Sequence, residues 1–115
     1  MAKYEKWLKG NFDELLDRLH RDITNGSISV SYEDGSTVTI NNARMAVRVY
    51  ERYSMTGNNR VSMNVTILGV GDDLFVSAIT SGGSQAVFFK INTLGEEAFL
   101  QLFIDSIESF QAKRY

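Results

Sequence analysis

Residues 27–40 read SISVSYEDGSTVTI, and at this stretch the apolar period drops from 3.6 residues to 2. Ile28, Val30 and Tyr32 alternate with Ser27, Ser29 and Ser31. Asp34 and Gly35 follow, and Thr37–Ile40 resumes the run. Alternation on either side of Asp-Gly predicts a β-hairpin. Downstream, Ala43–Met55 forms a long alternating segment, with Met45, Val47, Val49, Tyr53 and Met55 on one face. Arg44, Ala46, Arg48, Tyr50 and Arg52 occupy the other face. A loop at Gly57–Asn59 leads to Val61, Met63, Val65 and Ile67, which alternate with Ser62, Asn64 and Thr66. Gly71–Asp73 turns the chain into Leu74–Thr80, and Ser81–Ser84 turns it again into Gln85–Ile91. The pattern predicts an antiparallel meander.

Helical spacing brackets this meander. Phe12, Leu15, Leu16, Leu19 and Ile23 fall at i, i+3, i+4, i+7 and i+11, one stripe of an amphipathic helix. Asn11 and Glu14 supply a capping-box pair, and Gly26 ends the helix in a left-handed turn. Lys3–Leu8 precedes the break at Gly10. Its Tyr4, Trp7 and Leu8 fit either an extension of the stripe or a separate strand, and the break favours the strand. From about Leu94 to Phe110, the residues Leu100, Phe103, Ile104, Ile107 and Phe110 form a second stripe. Thr93 and Glu96 make a Ser/Thr-x-x-Glu capping box for it. Two amphipathic helices need a surface to bury against, and an antiparallel sheet can leave its other face in water. The fold expected is α+β: a meander of about five strands, an extra N-terminal strand if Lys3–Leu8 is extended, and both helices on one sheet face. The opposite face then carries the Ser, Asn, Thr and Arg positions.

Composition sets the class. A chain of 115 residues with 43% hydrophobic and 23% charged residues is expected to be a single globular domain over residues 1–115. The formal charge of −2 argues against nucleic acid as a partner, since a phosphate backbone is held by an excess of Lys and Arg. With no Cys and one His, neither thiolate chemistry nor a multi-His metal site within one chain is available, and no cofactor or metal is expected. No run approaches the roughly 20 apolar residues of a bilayer span, so no membrane partner is expected. With no secretory signal in Met1–Lys9, the expected location is the cytoplasm.

Arg48, Tyr50 and Arg52 share one strand face about 7 Å apart, with Arg44 and Arg60 nearby. Guanidinium groups so spaced can clamp a carboxylate or phosphate. They can equally pair with acids on neighbouring strands. The Ser81, Gly82, Gly83 and Ser84 loop can converge backbone N–H groups into an anion-holding nest, or be an ordinary hairpin turn. Asp72 and Asp73 lack the spacing of a calcium loop and read as a polar turn. His20 borders the first helix's apolar stripe as a packing residue, with no nucleophile beside it. Met45, Met55 and Met63 read as core filler, and Phe88 and Phe89 as opposite faces of the last strand.

Residues 48–57 (RVYERYSMTG), 75–84 (FVSAITSGGS) and 89–93 (FKINT) resemble a family of short bacterial proteins, mainly Gram-positive, of unknown function. The likeness extends to 3–8 (KYEKWL) and 12–16 (FDELL), so it covers essentially the whole chain. It implies a small cytoplasmic bacterial protein and assigns no activity or residue role. With no acid/base or metal constellation in view, an enzyme is less expected than a binding module. That module would hold a small anionic ligand or partner segment on the polar sheet face through Arg48, Tyr50, Arg52 and Ser81–Ser84. The alternative is a structural or regulatory protein acting as a homodimer.

Overall fold

The computed structural model describes residues 1–27, 29–53, 60–82 and 89–112. Along the chain run β1 (Ala2–Lys9), α1 (Phe12–Asn25), β2 (Val30–Ile40), β3 (Ala43–Tyr53), β4 (Arg60–Val70), β5 (Asp73–Gly82) and α2 (Phe89–Ala112). The strands form one antiparallel sheet in the order β1-β5-β4-β3-β2. Lys3–Leu8 is thus a strand, and it closes the meander by pairing with β5 from Ala2↔Thr80 to Lys9↔Asp73. Two-residue turns at Asn41–Asn42 and Gly71–Asp72 join β2 to β3 and β4 to β5. Asn41 (φ 54°) and Gly71 (φ 58°) supply the left-handed backbone such turns need.

Register assigns the faces. Directly opposed residues share a face, and Leu8, Leu74, Gly69, Arg44 and Thr39 fall in one row; the next row toward the other end of the sheet on this face is Lys6, Val76, Ile67, Ala46 and Thr37. The buried positions of β4 (Val61, Met63, Val65, Ile67) and β5 (Leu74, Val76, Ala78) lie on this face, beneath the helices. From α1 they receive Phe12, Leu15, Leu19 and Ile23, and from α2 Phe99, Leu100, Phe103, Ile107 and Phe110. Complete burial of side chains of this size contributes roughly 1.5–3 kcal/mol each before conformational entropy is set against it. Tyr4 of β1 meets Phe103 edge-on at 6.1 Å.

Local signals explain most element ends. The Asn11 side chain accepts a hydrogen bond from the Glu14 N–H at 2.9 Å, which caps α1 as expected. Gly26 ends it differently: φ is −74°, right-handed, and its N–H donates to the Ile23 carbonyl. A Cβ there would sit 2.8 Å from the Leu102 side chain of α2 and 3.0 Å from the Asp22 carbonyl, so the helix end is closely packed.

Four further expectations are corrected. Asp34 and Gly35 are not a hairpin turn. They lie inside β2, where Tyr32 faces Tyr50 and Asp34 faces Val49, so that Glu33 is the extra residue of a bulge. The last strand, expected at Gln85–Ile91, is helical from Phe89, while 85–88 lie outside the described residues. Thr93 therefore falls inside α2 rather than at its cap, and Phe89 opens the helix. Finally, the sides of β3 are exchanged. Ala46 and Tyr50 are 1% exposed beneath the helices, whereas Met45 is 38% exposed on the open face with Val47, Val49 and Tyr53. Met63 is core as expected, and Met55 lies outside the described residues.

Candidate functional site

The exchange of sides places the arginine-bearing face of β3 against α1. Arg44 donates to Asp13 at 3.0 Å and lies over the Phe12 ring at 4.4 Å. This contact holds the Asp13 carboxyl below its ordinary range. Arg48 is anchored by neutral groups instead. Its Nη1 donates to the carbonyls of Ser36 and Val47, and its Nη2 to the Thr37 hydroxyl, each at 2.9 Å. No carboxylate among the described residues pairs with it.

Beside Arg48, the Tyr50 hydroxyl lies 2.8 Å from Nδ1 of His20 on α1. Burial pushes the Tyr50 phenol up to about 12, against a smaller opposing pull from Arg48, so it keeps its proton through the neutral range. The phenol and the imidazole nitrogen share one hydrogen bond, whose direction follows the His20 tautomer. Tyr32 completes the group, its ring edge-on to His20 at 5.2 Å and tilted against Tyr50 at 5.7 Å. Leu16, Asp17, His20, Tyr32 and Arg48 line an open groove of about 320 Å³ between α1 and the β2–β3 edge. Gly35 makes the arrangement fit. A Cβ there would lie 2.5 Å from the Tyr32 hydroxyl, and 2.7 Å from both Arg48 Cδ and the Val47 carbonyl.

The open face of the sheet is the second surface. One row crosses all five strands as Trp7, Phe75, Leu68, Met45 and Val38. Trp7 is 72% exposed and stacks against Phe75 at 4.8 Å between ring centres. Val70 and Ile40 extend the apolar band in the row beyond, where Lys9 pairs with Asp73. Eight large exposed apolar side chains lie on this face: Trp7, Val38, Ile40, Met45, Tyr53, Leu68, Val70 and Ile79. Among the described residues, nothing covers them.

The residues singled out from sequence do not converge. Arg48, Tyr50 and Arg52 are on the helix side of β3, whereas Ser81 faces Ser62 on the open side of β5. Gly82 gives its N–H to the Glu96 carboxylate at 2.6 Å, so this N–H does hold an anion, but an internal one. Gly83 and Ser84 lie outside the described residues. Arg60 pairs with Glu51 at 3.0 Å and donates to the Tyr53 hydroxyl. Asp72 belongs to the β4–β5 turn, as expected.

Sequence reasoning missed three features. In the sequence Tyr32 is only a strand position, and the bulge that delivers it to His20 leaves no signature in the alternation. The Trp7 row exists only once five strands are in register. Glu96, expected at a helix dipole, is 6% exposed and also accepts from the Met1 amino group at 2.9 Å. Among the described residues no group of His, Asp and Glu is placed to hold a metal ion, and no helix is long and apolar enough to cross a membrane.

A comparison with curated proteins finds no match. A family model described as a family of unknown function, DUF6054, matches residues 1–111. That span takes in every strand, both candidate surfaces and nearly all of α2, and the chain belongs to this family.

Proposed function

We propose that the protein is a non-enzymatic interaction module that acts as a homodimer through the open face of its sheet, with the cytoplasm as its working compartment. The observation that carries this reading is the apolar row from Trp7 to Val38. Scattered exposed apolar residues are ordinary, whereas a contiguous band on one face marks an interaction surface.

Area and charge favour a second copy as the occupant. Five strands about 4.8 Å apart and about ten residues long present roughly 800 Å², the usual contribution of one partner to a stable interface. β4 is the central strand. A two-fold axis parallel to it sets the β1 edge of one copy over the β2 edge of the other. Lys3 and Asp34 occupy the two ends of one row, so this axis brings opposite charges together twice. It also sets Trp7 toward Val38 and Leu68 toward its own copy, in the aligned manner of packed sheets.

Sedimentation velocity between about 1 and 200 µM, with native mass spectrometry alongside, tests this. A dimer that dissociates on dilution is expected, and Leu68→Lys should hold the chain monomeric with an unchanged circular dichroism spectrum. A monomer throughout the range, or a dimer indifferent to Leu68→Lys, refutes the reading.

A further inference from the structure

The groove on the helix side of the sheet is independent of the dimer surface, because it opens on the opposite face. Three observations point to a ligand there. Arg48 is fixed in place by two carbonyls and one hydroxyl, none of which neutralises its charge. A guanidinium has five N–H donors, so these three bonds leave two for a further acceptor. The walls are Leu16 and the Tyr32 ring, with the His20 ring beside them, which suits a small molecule that is apolar over part of its surface. Finally, the space that Tyr32 and Arg48 occupy is open only because residue 35 is glycine.

We propose that this groove binds a small molecule through a carboxylate or phosphate group, with Arg48 as the anion anchor and His20 and Tyr32 as contact residues. The ordinary alternative for an arginine in this position is a structural tie between β2 and β3. Carbonyl partners alone would meet that need, but a tie has no use for the rigid aromatic group beside it. Tyr50 is a positioning residue, since its hydroxyl fixes the His20 ring from beneath. Asp17, exposed at the rim, contributes a like charge that keeps affinity for bare anions modest.

The test is an NMR titration of the ¹⁵N-labelled protein and the His20 ring resonances with inorganic phosphate and, separately, benzoate. Saturable shifts at His20 and along β2–β3 are expected with at least one probe. A response to benzoate alone names a carboxylate ligand, and a response to phosphate alone a phosphorylated one. Arg48→Gln should weaken binding at least tenfold, and Arg48→Lys, which keeps the charge but loses the fork, should fall between. Because Arg48 also ties β2 to β3, Asp17→Asn provides a second arm at an exposed residue outside that tie. It should tighten binding about two- to fivefold through loss of the rim charge. No saturable shift with either probe to about 20 mM overturns the proposal. Shifts that persist in Arg48→Gln, or are unchanged in Asp17→Asn, overturn it equally.

Discussion

Replacing Gly35 with alanine tests the sidedness of β2 and β3 and the construction of the groove together. The backbone at residue 35 is not in the left-handed region, so alanine meets no torsional penalty. In open space the substitution would stabilise the protein by about 0.4–1 kcal/mol, because the unfolded chain loses freedom. The structure predicts the opposite sign. The new Cβ would stand 2.5 Å from the Tyr32 hydroxyl, 2.7 Å from Arg48 Cδ and 2.7 Å from the Val47 carbonyl. The two side chains can withdraw, but the carbonyl belongs to the β2–β3 ladder and moves only with the strand. Overpacking of this kind costs about 1–3 kcal/mol, leaving a net loss of about 1–2. At this chain length that lowers Tm by about 4–8 °C. Urea melts should show the midpoint fall with the slope unchanged. Combining Gly35→Ala with Tyr32→Ala should recover about 0.5–1 kcal/mol as a coupling term in a double-mutant cycle. A stabilised Gly35→Ala, or a cycle with no coupling, refutes the packing described.

Further tests address other contacts. Tyr50 has its folded pKa raised by burial, so the stability it contributes is complete below pH 10 and is lost as pH rises through about 12. The shift corresponds to a few kcal/mol at most, which the solvated groove beside the ring reduces to about 1–2. Denaturation of the native protein and Tyr50→Phe should therefore converge between pH 9 and 12; a constant difference counts against the burial. Glu96→Ala removes the acceptor of the Gly82 N–H at the end of β5. It should cost about 1.5–3 kcal/mol in a urea melt and shift the Gly82 amide resonance, and a change below about 0.5 kcal/mol would show that the contact contributes little. Phe103→Ala opens the core beneath Tyr4 and should cost about 3–5 kcal/mol. A loss below about 1 kcal/mol would place Phe103 outside the core.

Helix α1 and strands β4 and β5 were legible because their signals are redundant. In α1 the stripe, the Asn11 cap and the break at Gly10 all agree. In β4 the run from Val61 to Ile67 alternates apolar and polar residues, and in β5 Leu74, Val76 and Ala78 fall on one face. β3 was not legible, because both of its faces are amphipathic. Val47 and Val49 look like core and Arg44 and Arg48 look like surface, yet the arginines lie at the margin of the helix-covered face. Arg44 spreads its stem over Phe12 and keeps its charge on exposed Asp13, as long cationic side chains do. Only Ala46 and Tyr50 are deeply buried there, and neither is a strong core marker in a sequence. The start of α2 was obscured by residues 89–93 (FKINT), whose alternation and β-branched content suit a strand as well as a helix.

The bulge at Glu33 accounts for both candidate surfaces. Val30, Tyr32, Val38 and Ile40 all have even numbers and would share one face of a regular strand. With Glu33 set aside, Tyr32 opposes Tyr50 beneath α1, while Val38 and Ile40 oppose Met45 and Ala43 on the open face. One extra residue thus sends Tyr32 to the groove and Val38 to the apolar row. Deleting Glu33 should preserve both placements, since Tyr32 and Asp34 already face successive residues of β3, Tyr50 and Val49. The shortened strand becomes a regular ladder, and stability should change by no more than about 1 kcal/mol, the usual scale for a surface position without a buried partner. Were Asp34 and Gly35 a hairpin turn, the same deletion would slip one arm by a residue and turn Val30 and Tyr32 to the other face. That slip would expose partly buried apolar surface, cost more than about 2 kcal/mol and abolish the contact between His20 and Tyr32. Melting temperature and the nuclear Overhauser contacts between the His20 and Tyr32 rings separate the two cases. A stable deletion variant that keeps those contacts supports the bulge, and a destabilised one that loses them rejects it, together with the assignment of Tyr32 to the groove.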